Sequence, residues 1–134
     1  MFGSFDISTS ALSAQRTRLD TIASNIANVD SVLGPDGKPA PYQRLFATFQ
    51  AQRTADGGAG VRVASIQPDD ETPYRLKQEP GSPAADPNGW VRYPNVNLST
   101  EYVNALETTR AYEANITAIE TTKSMITSTL RLLA

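Results

Sequence analysis

Few residues of this 134-residue chain have the types and spacing that proteins use for chemistry. The run Gly57-Gly58-Ala59-Gly60 is as rich in glycine as a phosphate-binding loop. It lacks the Lys-Ser/Thr pair of that motif, so we interpret residues 55–60 as a plain loop. The acidic run Asp69-Asp70-Glu71 lacks the alternating oxygen-ligand spacing of a calcium loop and is typical of a solvated segment. Lys123 interrupts an apolar stripe, where a lysine usually buries its stem and keeps its charge in water.

Composition removes most of the remaining enzymatic chemistry. The chain has no cysteine and no histidine, which excludes disulfides, thiol nucleophiles, thiolate metal sites and every Ser-His-Asp triad. With 12 basic and 14 acidic side chains, the net charge of −2 argues against an electrostatic nucleic-acid binder. No apolar run approaches the roughly 20 residues of a membrane span. We therefore expect no catalytic residue, no cofactor, no metal, no nucleic acid and no membrane-spanning segment.

The helix-breaking residues divide the chain into three parts. All nine prolines lie between Pro35 and Pro94, and all glycines except Gly3 lie between Gly34 and Gly89. Since both ends are free of breakers, we predict an N-terminal helix within residues 1–31, a loop-rich insert over 32–96 and a C-terminal helix within 97–134.

Each terminal segment carries a narrow apolar stripe with the period of packed helices. Heptad spacing in the first segment and alternating spacings of three and four in the last predict one seam between the two helices within the chain. The predicted seam residues are Leu12, Leu19, Ile22, Ile26, Tyr112, Ile116, Ile119, Ile126 and Leu130.

The fold class predicted from these patterns is mainly α, with two terminal helices forming an antiparallel coiled-coil-like hairpin. The insert shows short alternating segments at 42–50, 61–66, 74–77 and 90–93, separated by strong turn signals such as Asp86-Pro87-Asn88-Gly89. We therefore expect a small β-hairpin with loops between the helices.

The helix faces beside the seam are small and uncharged, whereas ordinary solvent-facing surfaces carry many lysines and glutamates. One interpretation is a soluble two-helix hairpin whose alanine- and threonine-rich surface meets only water. The other is that these faces are buried against neighbouring subunits. The predicted subunit-interface residues are Ser24, Asn25, Asn28, Ala111, Ala114 and Asn115.

Two blocks of sequence resemble a known family. The first covers residues 11–31 with its Asn25-Ile26-Ala27-Asn28 core and resembles the N-terminal signature of flagellar rod and hook axial proteins. The second begins with the run Glu79-Pro80-Gly81-Ser82-Pro83-Ala84-Ala85-Asp86 and continues to Lys123-Ser124-Met125. At this chain length, the second block is similar to the C-type member of the proximal rod.

The resemblance implies a structural role. It implies a subunit that polymerises helically into the proximal rod of the flagellar basal body, the drive shaft that transmits motor torque across the periplasm. The implied partners are further copies, other proximal and distal rod subunits, the protein joining the rod to the MS ring, and the type III export apparatus. The resemblance also implies export without a cleaved signal peptide, and neither catalysis nor a small-molecule substrate.

Two alternatives from other classes remain open at this point. A secreted accessory enzyme acting on cell-wall glycan would need a pair of carboxylates in a cleft. A helical-hairpin export adaptor would stay in the cytoplasm and bind one client.

Overall fold

The computed structural model describes residues 2–53 and 57–134, so part of the loop predicted over 55–60 lies outside the described residues. Strands β1 and β2 pair antiparallel in one two-stranded sheet, and β3 and β4 pair antiparallel in a second. The elements in chain order are α1 (Phe2–Ala27), β1 (Leu45–Arg53), β2 (Ala59–Pro68), β3 (Arg75–Gln78), β4 (Trp90–Tyr93) and α2 (Leu98–Leu133).

The prediction of a mainly α fold with one small β-hairpin is wrong. The helices hold 26 and 36 residues, less than half of the chain, and the insert forms two separate sheets. The larger hairpin has strands of 9 and 10 residues. Strand β1 has the predicted length but lies three residues later than the predicted segment 42–50, and β2 extends beyond the predicted 61–66 at both ends. A register shift between Thr48 and Phe49 breaks the alternation of β1, so its last five residues are out of phase with the pattern before them.

Helix α1 is the middle layer of the molecule. One of its sides packs against α2, and another packs against both strands of the β1–β2 hairpin. The hairpin runs along the helix, since Asn25 contacts Leu45 near the C-terminal end of α1 and Ser10 contacts Val61 nearer its start. Of the elements described, only α1 packs against α2.

The two helices are antiparallel. Asn25 bonds to Glu101, and the guanidinium of Arg18 lies 3.7 Å from the carboxylate of Glu107. Extrapolating this register brings the first turn of α1 level with about residue 124 of α2. The last turns of α2 therefore extend beyond α1 by about ten residues, or roughly 15 Å.

The apolar core is small and lies at the base of the helix pair, where α1 ends and α2 begins. Val91 of β4 and Val96, just before α2, are fully buried there. Arg75 of β3 fixes this sheet to the base by donating to the carbonyls of Pro94 and Val29. The side chain of Asn97 caps α2 by accepting the amide of Thr100 at 3.2 Å.

Candidate functional site

A buried amide joins three elements at the base of the helix pair. Asn25 is 0% exposed, and its Nδ2 donates to the carbonyl of Leu45 at 2.7 Å and to Oε2 of Glu101 at 3.1 Å. Its Oδ1 accepts from the amide of Leu45 at 2.9 Å and from the hydroxyl of Tyr42 at 3.0 Å. Because an amide side chain offers both a donor and an acceptor, Asn25 bonds to Leu45 as a neighbouring strand would.

Arg44 connects two carboxylates from distant segments. Its Nε donates to Oε1 of Glu101 at 2.5 Å, and its Nη1 donates to Oδ2 of Asp69 at 3.3 Å. The backbone amide of Arg44 also donates to Oδ1 of Asn95 at 2.7 Å. Glu101 is fully buried, so its charge requires the partners that Arg44 and Asn25 supply. We call Asn25, Arg44, Asp69, Asn95 and Glu101 the polar joint.

Asp69 stays ionised within the polar joint. Burial raises the pKa of this carboxyl, but hydrogen bonds from the amide and hydroxyl of Thr72 and from the amide of Glu71, together with the charge of Arg44, lower it more. The net pKa lies below the ordinary value of 3.8. At neutral pH one guanidinium therefore faces the carboxyl groups of Asp69 and Glu101.

Most of the predicted seam residues are shielded from solvent to some degree. Ile22 is buried, and Leu12, Leu19, Ile26, Tyr112, Ile119 and Ile126 are half-buried. Ile116 is exposed. Leu130 is 62% exposed because it lies beyond the start of α1, so it does not pack within one chain.

On α1, the predicted subunit-interface residues have partners in their own chain. Asn25 belongs to the polar joint, and the hydroxyl of Ser24 lies 3.2 Å from that of Tyr42. Asn28 is half-buried, donates to the carbonyl of Ser24 at 2.9 Å and accepts from Ser31 at 3.1 Å. The small polar face of α1 largely packs against the chain's own β-hairpin and the segment before it, so Asn25 in particular is not available to a neighbour.

On α2, the predicted interface residues remain closer to the surface. Ala114 is exposed, Ala111 is half-buried, and Asn115 is half-buried and donates to the carbonyl of Ala111 at 2.8 Å. Large apolar side chains are also exposed along this helix. They are Leu98, Tyr102, Val103, Leu106, Ile116, Met125, Leu130, Leu132 and Leu133.

Sequence reasoning missed the residues that hold the centre of the molecule together. Thr108 is fully buried, and Thr21 and Ser8 are buried on α1. The hydroxyls of Thr21 and Thr108 donate to carbonyls four residues earlier in their own helices, so burial leaves these groups satisfied. The sequence feature that was overlooked is Glu101. It follows the capping residue Asn97 by four positions and marks the side of α2 that faces α1.

The described residues show neither a metal-binding cluster nor a membrane-spanning helix. Within ranges 2–53 and 57–134, no group of three or more acidic side chains is placed to hold a metal ion. No helix in the same ranges combines the length and the hydropathy needed to cross a membrane. The two carboxyl groups that face each other across Arg44 are engaged in hydrogen bonds, and Glu101 is inaccessible to a substrate.

Comparison with known proteins assigns the two helical ends to flagellar families. The family described as "Flagella basal body rod protein" matches residues 5–35, and "Flagellar basal body rod FlgEFG protein C-terminal" matches residues 88–132. These matches confirm the resemblance of both ends to axial rod proteins.

Similar full-length relatives narrow the assignment. The flagellar basal-body rod protein FlgC of Yersinia enterocolitica is 49% identical, with 96% of this chain and 94% of the relative covered. FlgC of Borreliella burgdorferi is 40% identical, with coverage of 99% and 97%, and that of Bacillus subtilis is 35% identical, with 98% and 97%. With such identity over nearly its whole length, the chain belongs to the FlgC family of flagellar basal-body rod proteins.

Proposed function

We propose that the chain is a structural subunit of the flagellar basal-body rod, that it polymerises helically in the proximal part of the rod, and that it transmits motor torque rather than catalysing a reaction. The observation that carries the proposal is the apolar end of α2. The stripe that faces α1 continues through Ile126 to Leu130 and Leu133, beyond the point where α1 begins. A single chain leaves this surface in water, whereas a polymer buries it.

The outer surface of α2 is suited to close packing between subunits. The hydroxyls of Thr117, Thr121, Thr122, Thr127 and Thr129 donate to carbonyls four residues earlier in the helix. Because these hydroxyls are satisfied within the helix, packing them against a neighbour leaves no unpaired donor. Thr117 and Thr121 lie three and seven positions after the exposed Ala114, so these three small side chains share one face of α2, which another helix can approach closely.

The proposed neighbours follow from membership of the family. They are further copies, other proximal and distal rod subunits, and the protein that joins the rod to the MS ring. The proposed location is the periplasmic part of the rod, reached through the type III export apparatus without a cleaved signal peptide.

Exchange of Ala114 for lysine tests the interface. Ala114→Lys is expected to be exported but to lose assembly and swimming, because a buried unpaired charge costs about 3 kcal/mol or more at each contact. Ala64→Lys is the matched control, since Ala64 is an exposed alanine on β2. Swimming, secretion and presence in purified hook–basal bodies are measured for both variants.

Three outcomes would contradict the proposal. Normal swimming of Ala114→Lys would mean that this face of α2 is merely solvated. Absence of the unaltered chain from purified hook–basal bodies would exclude a rod subunit. Retention in the cytoplasm as a stoichiometric complex with one client would favour an export adaptor.

A further inference from the structure

A groove beside Trp90 is a second unpartnered apolar surface. It has a volume of about 280 Å³ and is lined by Val32, Pro39, Pro41, Ala84, Ala85 and Trp90. Trp90 is 42% exposed. Asp86 and Arg92 add one acid and one base to the apolar lining.

The exposed side of the β3–β4 sheet lies next to this groove. It carries residue types that often contribute most of the binding energy of protein interfaces. Trp90 lies opposite Gln78 in the strand register, and Arg92 lies opposite Leu76, which is exposed. The guanidinium of Arg92 stacks on the ring of Tyr74 at 5.0 Å. Tryptophan, tyrosine and arginine are the side chains most enriched among residues that carry binding energy.

The end of α2 has complementary features. Leu130, Leu132 and Leu133 are 62%, 88% and 80% exposed. Lys123 and Arg131 are the only charged side chains after Glu120, so this helix end is basic. A helix that presents apolar side chains three residues apart can lay that face in an apolar groove.

The groove and the helix end lie at opposite ends of the molecule. Val32 lies five residues after the end of α1, and β4 precedes α2, so the groove sits at the base of the helix pair. The end of α2 lies 36 residues away along a continuous helix, about 54 Å by the helical rise. The two surfaces therefore cannot meet within one chain, and a contact between them in two chains leaves a free surface at each end.

We propose that the Trp90 groove of one chain receives the α2 end of a second copy, with Leu130 and Leu133 against the groove lining and Arg131 beside Asp86. Asp86 is held in place for this role, because its Oδ1 accepts the amides of Asn88 and Trp90, both at 2.9 Å. The inference rests on the proposed function, since it names the surfaces through which successive subunits meet. It goes beyond that function by fixing which end of one chain contacts which groove of the next.

Fluorescence of the chain's single tryptophan tests the contact in solution. The unaltered chain is held at low concentration and titrated with a Trp90→Phe chain, which is dark but keeps its α2 end. A saturable blue shift of Trp90 emission is expected as its ring leaves water. Adding Leu133→Lys to the dark chain is expected to abolish the shift, whereas Val103→Lys, an exposed apolar position near the start of α2, leaves it intact. No shift, or an equal shift with both dark variants, would overturn the inference.

Disulfide trapping separates this inference from the proposed function. Because the chain has no cysteine, Ala85→Cys and Leu132→Cys combined in one chain create the only two thiols. Their separation along the helix pair excludes an intramolecular bond, which needs Cα atoms within about 7 Å. Oxidation of isolated basal bodies is expected to give linked multimers, and the pair Ala85→Cys with Val103→Cys none.

The outcomes of the trapping experiment are distinct. Basal bodies that contain the variant, rotate normally and give no linked multimers would overturn the groove contact and leave the rod function standing. Absence of the unaltered chain from basal bodies would instead count against the rod function itself.

Discussion

Replacing Asn25 by alanine should destabilise the fold far more than the same change one turn later. Asn25→Ala removes the partners of the Leu45 amide, the Leu45 carbonyl and Oε2 of Glu101. Tyr42 loses a partner too, but its hydroxyl still lies 3.2 Å from that of Ser24. Each buried polar group left without a partner costs about 1–3 kcal/mol. The expected loss in the free energy of unfolding is therefore about 3 kcal/mol or more.

Asn28→Ala is the matched control, because it removes the same side chain one turn later, just beyond the end of α1. The bonds of Asn28 run only to Ser24 and Ser31, both nearby in sequence, and the side chain is half-buried. Water can replace such bonds, so the expected loss is about 1 kcal/mol. Asn25→Asp is expected to be at least as harmful as Asn25→Ala, since it places a second carboxylate beside Glu101.

Denaturant unfolding of the full chain, followed by circular dichroism, measures these differences. The slope of the free energy against denaturant must stay constant for the comparison to hold. Equal losses for Asn25→Ala and Asn28→Ala would refute the reasoning, because they would show that the buried partners of Asn25 contribute nothing beyond a surface hydrogen bond.

Two further predictions concern the hairpin and the polar joint. A Cβ at Gly60 would lie 2.7 Å from Oγ of Ser10, so Gly60→Ala should lower the free energy of unfolding by about 1–3 kcal/mol, and adding Ser10→Ala should recover part of this loss in thermal unfolding. The pKa of Asp69 is lower in the fold than in the unfolded chain, so its stabilising effect is complete above about pH 4 and is lost as pH falls through the folded pKa. Asp69→Asn should therefore flatten the acid side of a stability–pH curve, and an unchanged curve, or the same flattening in Asp70→Asn, would contradict this.

The positions of the regular elements could be predicted because their signals are local. The absence of breakers predicted helices within residues 1–31 and 97–134, and α1 and α2 lie inside these ranges. The four strands overlap the alternating segments found in the sequence, although β1 lies three residues later and β2 extends further. The extent of β structure in the insert was underestimated, because no local pattern indicates that the segments form two separate sheets or that a hairpin packs along a helix.

The side of α2 that faces α1 could not be found by ranking residues by hydrophobicity. The spacing of apolar residues put Ile116 and Leu130 in the predicted seam, yet both are exposed. Glu101 and Thr108, which are polar, are fully buried instead. Burial of threonine costs little when its hydroxyl donates to a carbonyl of its own helix. Burial of glutamate costs less when a guanidinium and an amide donate hydrogen bonds to its carboxyl group. Those partners lie up to 76 positions away in sequence, so no window along the chain contains them.

The distribution of polar and apolar groups in this fold is suited to a part that bears load between subunits. A buried network such as the polar joint adds little net stability compared with an apolar core, but its directional bonds leave few alternative arrangements. Asn25, Arg44 and Glu101 thereby fix the angle between the helix pair and the insert. The large apolar side chains that an isolated domain would bury are instead displayed on α2 and beside Trp90. A torque applied at one of these exposed surfaces can then be transmitted to the other surface, because the polar joint holds the elements between them in a fixed arrangement.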